Sequence, residues 1–185
     1  MKFEVQGGSV KEPISLEAAK MHIRTVIGDT TEDEHILRPL ISAAREFAEN
    51  TTGVSWAEQT IDAYPEGWGV IRLPRPPVQE VLGITYRDEQ GEEHVLEPDR
   101  YAVDRIGAKI YIKDPPTATL DVGHPIKVTY TAGKGELPQT VRQAMLLLIG
   151  HWYNNREAVV VGSAASVEVD MTVRTLLNAK REWWF

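Results

Sequence analysis

Residues 137–155, LPQTVRQAMLLLIGHWYNN, constrain the fold more than any other stretch. Val141, Met145, Leu148, Ile149 and Trp152 share one helical face at three- and four-residue spacing. Ala144, Leu146 and Leu147 widen that face until little polar surface remains. A helix this apolar is stable only when neighbours cover most of its sides. Pro138 suits the first turn, where its missing N–H does no harm, and Asn154-Asn155 marks the end. The longest unbroken apolar run, Ala144–Ile149, falls well short of the ~20 residues a membrane span needs. The covering must therefore come from protein.

Two amphipathic helices upstream can supply it. Ser15 can cap a helix starting at Leu16, with Leu16, Ala19, Ile23, Val26 and Ile27 inward and Gly28 ending it. Thr31-Glu32-Asp33-Glu34 has the form of a capping box, and its acids suit a helix start. The stripe Ile36, Leu37, Leu40, Ile41, Ala44, Phe47, Ala48 follows, with Gly53 as C-cap. Pro39 interrupts it and predicts a bend near His35–Leu37. Residues 1–13 read as a flexible arm or loose strand. Residues 157–169 read as a loop or hairpin, and Asp170 as the cap of a last short helix with Val173, Leu176 and Leu177 inward.

Between Ser55 and Gly133 the period changes to short alternating or β-branched runs: Gln59–Ala63, Val70–Leu73, Val78–Arg87, His94–Leu96, Tyr101–Val103, Lys109–Ile112 and Ile126–Thr131. Pro74, Pro76 and Pro77 break the chain between two of them, and Gln90-Gly91 has the character of a hairpin turn. The expected class is α+β: mainly a helical bundle of about four helices with an inserted small antiparallel β module. One domain is expected over 1–185, made of a helix pair (14–53), a β insertion (55–133), C-terminal helices (137–181) and an aromatic tail (182–185).

Little in the chain reads as a catalytic centre. With no cysteine, disulfides, thiolate nucleophiles and thiolate metal sites are excluded. The five histidines, His22, His35, His94, His124 and His151, form no HxxxH or HxH pair, so surface or packed histidines are the plain reading. There is no G-x-S-x-G or S-x-x-K, and Gly133-Lys134-Gly135 lacks the frame of a phosphate loop. Glu32-Asp33-Glu34 and Glu92-Glu93 read as solvated faces. No catalytic residue, metal or cofactor is assigned. An enzyme or ligand-binding domain remains an alternative if His94, Asp99, Arg100 and Asp104 line one pocket.

The net charge of -7 argues against tight nonspecific DNA binding. The charge is uneven: residues 58–136 carry 14 acids and 9 bases, residues 137–185 carry 4 acids and 5 bases. Met1-Lys2-Phe3-Glu4 lacks the apolar region of a signal peptide, so the expected place of synthesis is cytosol-like. At the other end stands Trp183-Trp184-Phe185, preceded by Lys180-Arg181. Three aromatics beside two cations either fold back on the chain's own core or anchor to another chain. Trp183, Trp184, Phe185, Arg181 and Lys180 are the candidate partner-binding residues, on the preference of binding hot spots for Trp and Arg.

The ordered set of elements resembles the head–tail connector (adaptor, head-completion) proteins of long-tailed bacteriophages. The resemblance is carried by Ile14-Ser15-Leu16-Glu17-Ala18-Ala19-Lys20, by Asp33-Glu34 with the Ile36–Ala48 stripe, and by Leu73-Pro74-Arg75-Pro76-Pro77-Val78. Val128–Gly133 and the helix from Leu137 to Glu157 complete it, over roughly residues 14–181. In that family the C-terminal helix carries a Leu-Leu pair, a small residue or proline, and a basic end. Leu176-Leu177-Asn178-Ala179-Lys180-Arg181 fits loosely without the proline, and the aromatic tail departs from the pattern. The resemblance implies a structural virion protein at the head–tail junction, made in the bacterial host cytoplasm. It implies a homo-oligomeric ring of about twelve copies under the portal protein, with a tail-side stopper or tail-completion protein beneath and double-stranded DNA passing through unbound. A tail-completion or stopper protein is the alternative within the virion, against which the long helices argue. No membrane partner is implied.

Overall fold

The structure is a computed structural model that describes residues 1–8, 10–27, 34–133, 136–155 and 164–181. The chain forms two compact units: Met1–Val10 with Ala57–Lys134, and Lys11–Trp56 with Gly135–Phe185.

The second unit is helical. Helices α1 (Leu16–Ile27) and α2 (Glu34–Thr52) precede residues 57–134 in the chain, and α3 (Gln139–Asn154) and α4 (Ala164–Asn178) follow them. The Ser15 hydroxyl accepts the Ala18 N–H at 3.2 Å, the cap its position predicts. Gly28 and Thr31–Asp33 lie outside the described residues. Helix α2 runs on through Pro39, and the Glu34 carboxylate takes Lys20 Nζ of α1 at 2.6 Å. Helix α3 packs against α1, α2 and α4, so its broad apolar face is covered as such a face requires. Val141, Ala144, Met145, Leu148 and Ile149 join Ile14, Ile23, Leu37, Ile41, Val54, Val173 and Leu177 in one core. Trp152 lies at its edge, its ring edge-on to Phe47 with centroids 6.3 Å apart. The Asn155 amide Nδ2 donates to the His151 carbonyl at 2.8 Å and closes the helix.

Helix α4 begins at Ala164, not after Asp170. Ala164 and Ala165 are strong helix formers. Asp170 lies inside the helix, where its carboxylate takes Arg174 Nε at 2.8 Å, one turn on, instead of capping. A second feature escaped the sequence reading. Arg45 and Glu49 continue the inward row of Leu37 and Ile41 and are buried. Arg45 Nη1 meets Glu49 Oε2 and Arg45 Nε meets Glu12 Oε2, each at 3.0 Å. Burial alone would lower the Arg45 pKa, but Glu49 and Glu12 outweigh it and raise it. Glu49 Oε1 also accepts the Trp56 backbone N–H at 2.9 Å.

The first unit is all antiparallel β. Strands β1 (Lys2–Val5), β2 (Gln59–Tyr64), β8 (Ile126–Ala132), β4 (Val78–Arg87) and β5 (Glu93–Val95) form one sheet in the order β1-β2-β8-β4-β5. Strands β3 (Val70–Arg72), β7 (Lys109–Ile112) and β6 (Tyr101–Asp104) form the other, in the order β3-β7-β6. Alternate residues point inward: β8 reads buried at Ile126, Val128, Tyr130 and Ala132, with half-buried residues between. These join Ile61, Ile84, Ile71 and Ile110 from both sheets in a second core. The prolines at 74–77 cross between the sheets, with a cis bond between Pro76 and Pro77, and the buried Tyr130 hydroxyl donates to the Pro74 carbonyl. Burial keeps that phenol protonated far above its ordinary range, against the opposing pull of Arg75.

The class is α+β with four helices, as expected. The β part is larger than a small module in a mainly helical bundle. Eight strands in two sheets bury each other's inner faces and have a core of their own. The N-terminal residues supply the edge strand β1, with Lys2–Val5 registered on Tyr64–Ile61.

Candidate partner-binding surface

In the helical unit, α2 and α4 flank a groove of about 380 Å³ lined by Phe47, Asn50, Thr51, Arg174, Asn178 and Arg181. Among the described residues its lining holds two guanidiniums and two carboxamides and no acid. Arg174 lies over the Phe47 ring, 5.8 Å from its centroid. Among the described residues, Asp170 takes only its Nε, which leaves the N–H donors of the two η-nitrogens for a further acceptor. Of the candidate partner-binding residues, Arg181 lines the groove and Lys180 is exposed beside it. Trp183, Trp184 and Phe185 lie outside the described residues. Phe47, Asn50, Thr51, Arg174 and Asn178 escaped the sequence reading. More than a hundred residues separate the two helices, so no local spacing could join them.

In the sheet unit, the β4–β5 turn is acidic and tightly built. Asp88 Oδ1 accepts the N–H groups of Gln90 at 3.1 Å and Glu92 at 2.9 Å. The Gly91 N–H returns to the Asp88 carbonyl at 2.9 Å, with Gly91 at φ 82°, the left-handed region that glycine enters at no steric cost. Asp88 Oδ2 lies 2.7 Å from His94 Nε2, and the His94 ring stacks on Tyr86, centroids 5.2 Å apart. Trp68 meets Tyr86 edge-on at 5.4 Å. The His94 contact, followed by backbone N–H donors, holds the Asp88 carboxyl below its ordinary range despite burial.

Asp88, Glu92 and His94 each offer a ligand atom, all within 4.8 Å of one another. Two of the three are already used: Asp88 and His94 bind each other, and Asp88 also binds the turn backbone. The set is accounted for as a latch that fixes the hairpin. Three of the four residues that could have lined an enzyme pocket have partners outside that set. His94 turns to Asp88, Arg100 to Asp114 at 2.8 Å, and Asp104 to the Gly107 N–H at 2.9 Å.

The sequence model of the head completion protein family matches residues 14–180. The chain belongs to the head completion protein family. Its role is therefore structural, in the connection between head and tail. Two solved structures cover 100% of this head completion protein and 97% of their own chains. One is a chain from the neck of an empty gene transfer agent particle computed with C6 symmetry, at TM-score 0.76 and 19% identity. The other is from the virion of the native gene transfer agent particle, at TM-score 0.75 and 18% identity. A chain from the neck of the native particle computed with C12 symmetry gives TM-score 0.60 and 20% identity over 96% of this chain and 97% of that one. At such identities the likeness establishes a shared fold across both units. Among curated proteins no relative matches. No helix among the described residues is long and apolar enough to cross a membrane.

Proposed function

We propose that this head completion protein is a ring subunit at the head–tail junction. About twelve copies sit under the portal protein, extend the DNA channel and offer a platform to a tail-side stopper or tail-completion protein. The observation that carries the reading is the family match over 14–180, joined to a fold shared with chains from particle necks computed with C6 and C12 symmetry. The acidic balance supports it. A wall that repels phosphate lets double-stranded DNA slide, whereas a basic wall would hold it. No step in this role needs a catalytic group, metal or cofactor.

The C-terminal segment from Asp170 to Phe185 is the portal-facing element in this reading, with Trp183, Trp184 and Phe185 as anchors and Lys180 and Arg181 beside them. The test is docking of the full chain onto portal-bearing capsids that lack it, followed by electron microscopy. The expected result is a ring of density beneath the portal. Capsids that acquire none overturn the ring reading. Deleting residues 182–185 should leave the circular dichroism melt unchanged and weaken docking. Undiminished docking by that variant refutes the portal-facing assignment.

A further inference from the structure

A ring needs a heterologous contact, in which one surface of a copy meets a different surface of the next. Two surfaces described above have opposite charge, one in each unit. The β4–β5 turn presents Glu89, Glu92 and Glu93, all exposed. Lys127 Nζ lies 3.9 Å from the Glu93 carboxylate. The groove between α2 and α4 presents Arg174 and Arg181 among the amides of Asn50 and Asn178.

We infer that the acidic β4–β5 turn of one copy seats in the α2–α4 groove of the next copy around the ring; this rests on the ring reading above. Three observations carry it. The first is charge: the turn's carboxylates match the two cations of the groove, and among the described residues the Arg174 η-nitrogens still have donors for a carboxylate, which takes a guanidinium through parallel hydrogen bonds. The second is form. The turn is fixed before it meets anything by Asp88, the Gly91 backbone and the His94–Tyr86 stack, so little conformational entropy is lost when it docks. The groove is rigid in the same sense, with Arg174 laid on Phe47 and Phe47 braced by Trp152. The third is exclusion: an acidic turn has no use against DNA, whose phosphates it repels.

The test uses four samples of the full chain: wild type, a turn reversal (Glu89→Lys with Glu92→Lys), a groove reversal (Arg174→Glu with Arg181→Glu), and an equimolar mixture of the two variants. Melts by circular dichroism first establish that each variant folds. Sedimentation velocity and electron microscopy then read assembly, free and on portal-bearing capsids. Each reversal alone places like charges against each other and should weaken self-association by roughly 100-fold. In the mixture every turn again faces a groove of opposite sign, so rings with alternating subunits should return. Rings formed by either folded variant as readily as by wild type overturn the contact while leaving the ring reading standing. Folded variants whose mixture stays monomeric also overturn it. Wild type that forms no ring in either setting overturns the ring reading itself.

Discussion

Replacing Glu49 with Ala removes a side chain only 3% exposed whose two oxygens do different work. Oε2 holds the Arg45 guanidinium, itself 7% exposed, and Oε1 accepts the Trp56 N–H. Without Glu49, Arg45 keeps Glu12 at 3.0 Å and, among the described residues, only Glu46 beyond it at 3.7 Å, which is 64% exposed and a weak substitute. Breaking a buried pair by removing one partner costs about 3–5 kcal/mol, because a charge is left poorly compensated. Glu12 shields Arg45, which favours the lower part of that range. The orphaned Trp56 N–H adds about 1–3 kcal/mol. The expected loss is about 4 kcal/mol, a large share of the ~5–15 kcal/mol a domain has. Glu49→Gln keeps an acceptor for Trp56 and an oxygen for Arg45, and should lose about half as much. Arg45→Met with Glu49→Leu removes both charges and should be less destabilising than Glu49→Ala alone. Urea denaturation followed by circular dichroism measures all three. A Glu49→Ala midpoint equal to wild type, or a double variant weaker than Glu49→Ala, refutes the account of this network.

Three further outcomes follow from single positions. Gly133→Ala should be severely destabilised or insoluble on expression, since Gly133 has φ +112° and an added Cβ would stand 2.0 Å from the Ala57 carbonyl oxygen. Gly150→Ala should raise the melting midpoint, by about 0.5–1 kcal/mol of stability: the new methyl meets His22 Nε2 at 3.5 Å, an ordinary contact, and Ala is the better helix former. His22 has its pKa lowered by burial, so its contribution to stability is present above the unfolded value near 6.5 and is lost as pH falls through that value toward the lower folded one. Melts of wild type and His22→Gln across that window should diverge at the acid end, and parallel curves would refute this.

The strands were legible almost to the residue. The sheet core needs inward alternation, and Gln59–Tyr64 and Ile126–Ala132 show it residue by residue. β1 was readable only as a loose strand because all four of its residues are exposed, leaving no alternation to find. The start of α4 was missed for a different reason. Small residues at 162–165 resemble loop composition, and Asp170 fits a cap as well as it fits an ion pair with Arg174 inside a helix. Arg45 and Glu49 were legible in principle, since 37, 41, 45 and 49 form one i, i+4 row, yet charge on that row suggests solvent until the partners are known. The groove was not legible at all. Phe47 and Arg174 meet because α2 and α4 pack against each other and against α3.

The helical unit is assembled from residues on both sides of the sheet unit in the chain, and this orders events during translation. The sheet unit is complete once residue 134 has left the ribosome. Helices α1 and α2 emerge before all of the sheet but β1, yet their shared core is built on α3, which begins 87 residues after α2 ends. At roughly 5–20 residues per second, the inner faces of Leu37, Ile41 and Ala44 stay uncovered for on the order of ten seconds while the β strands are made. The mature partner of those faces does not yet exist, so the nascent chain is most open to aggregation in that interval, and most open to a chaperone.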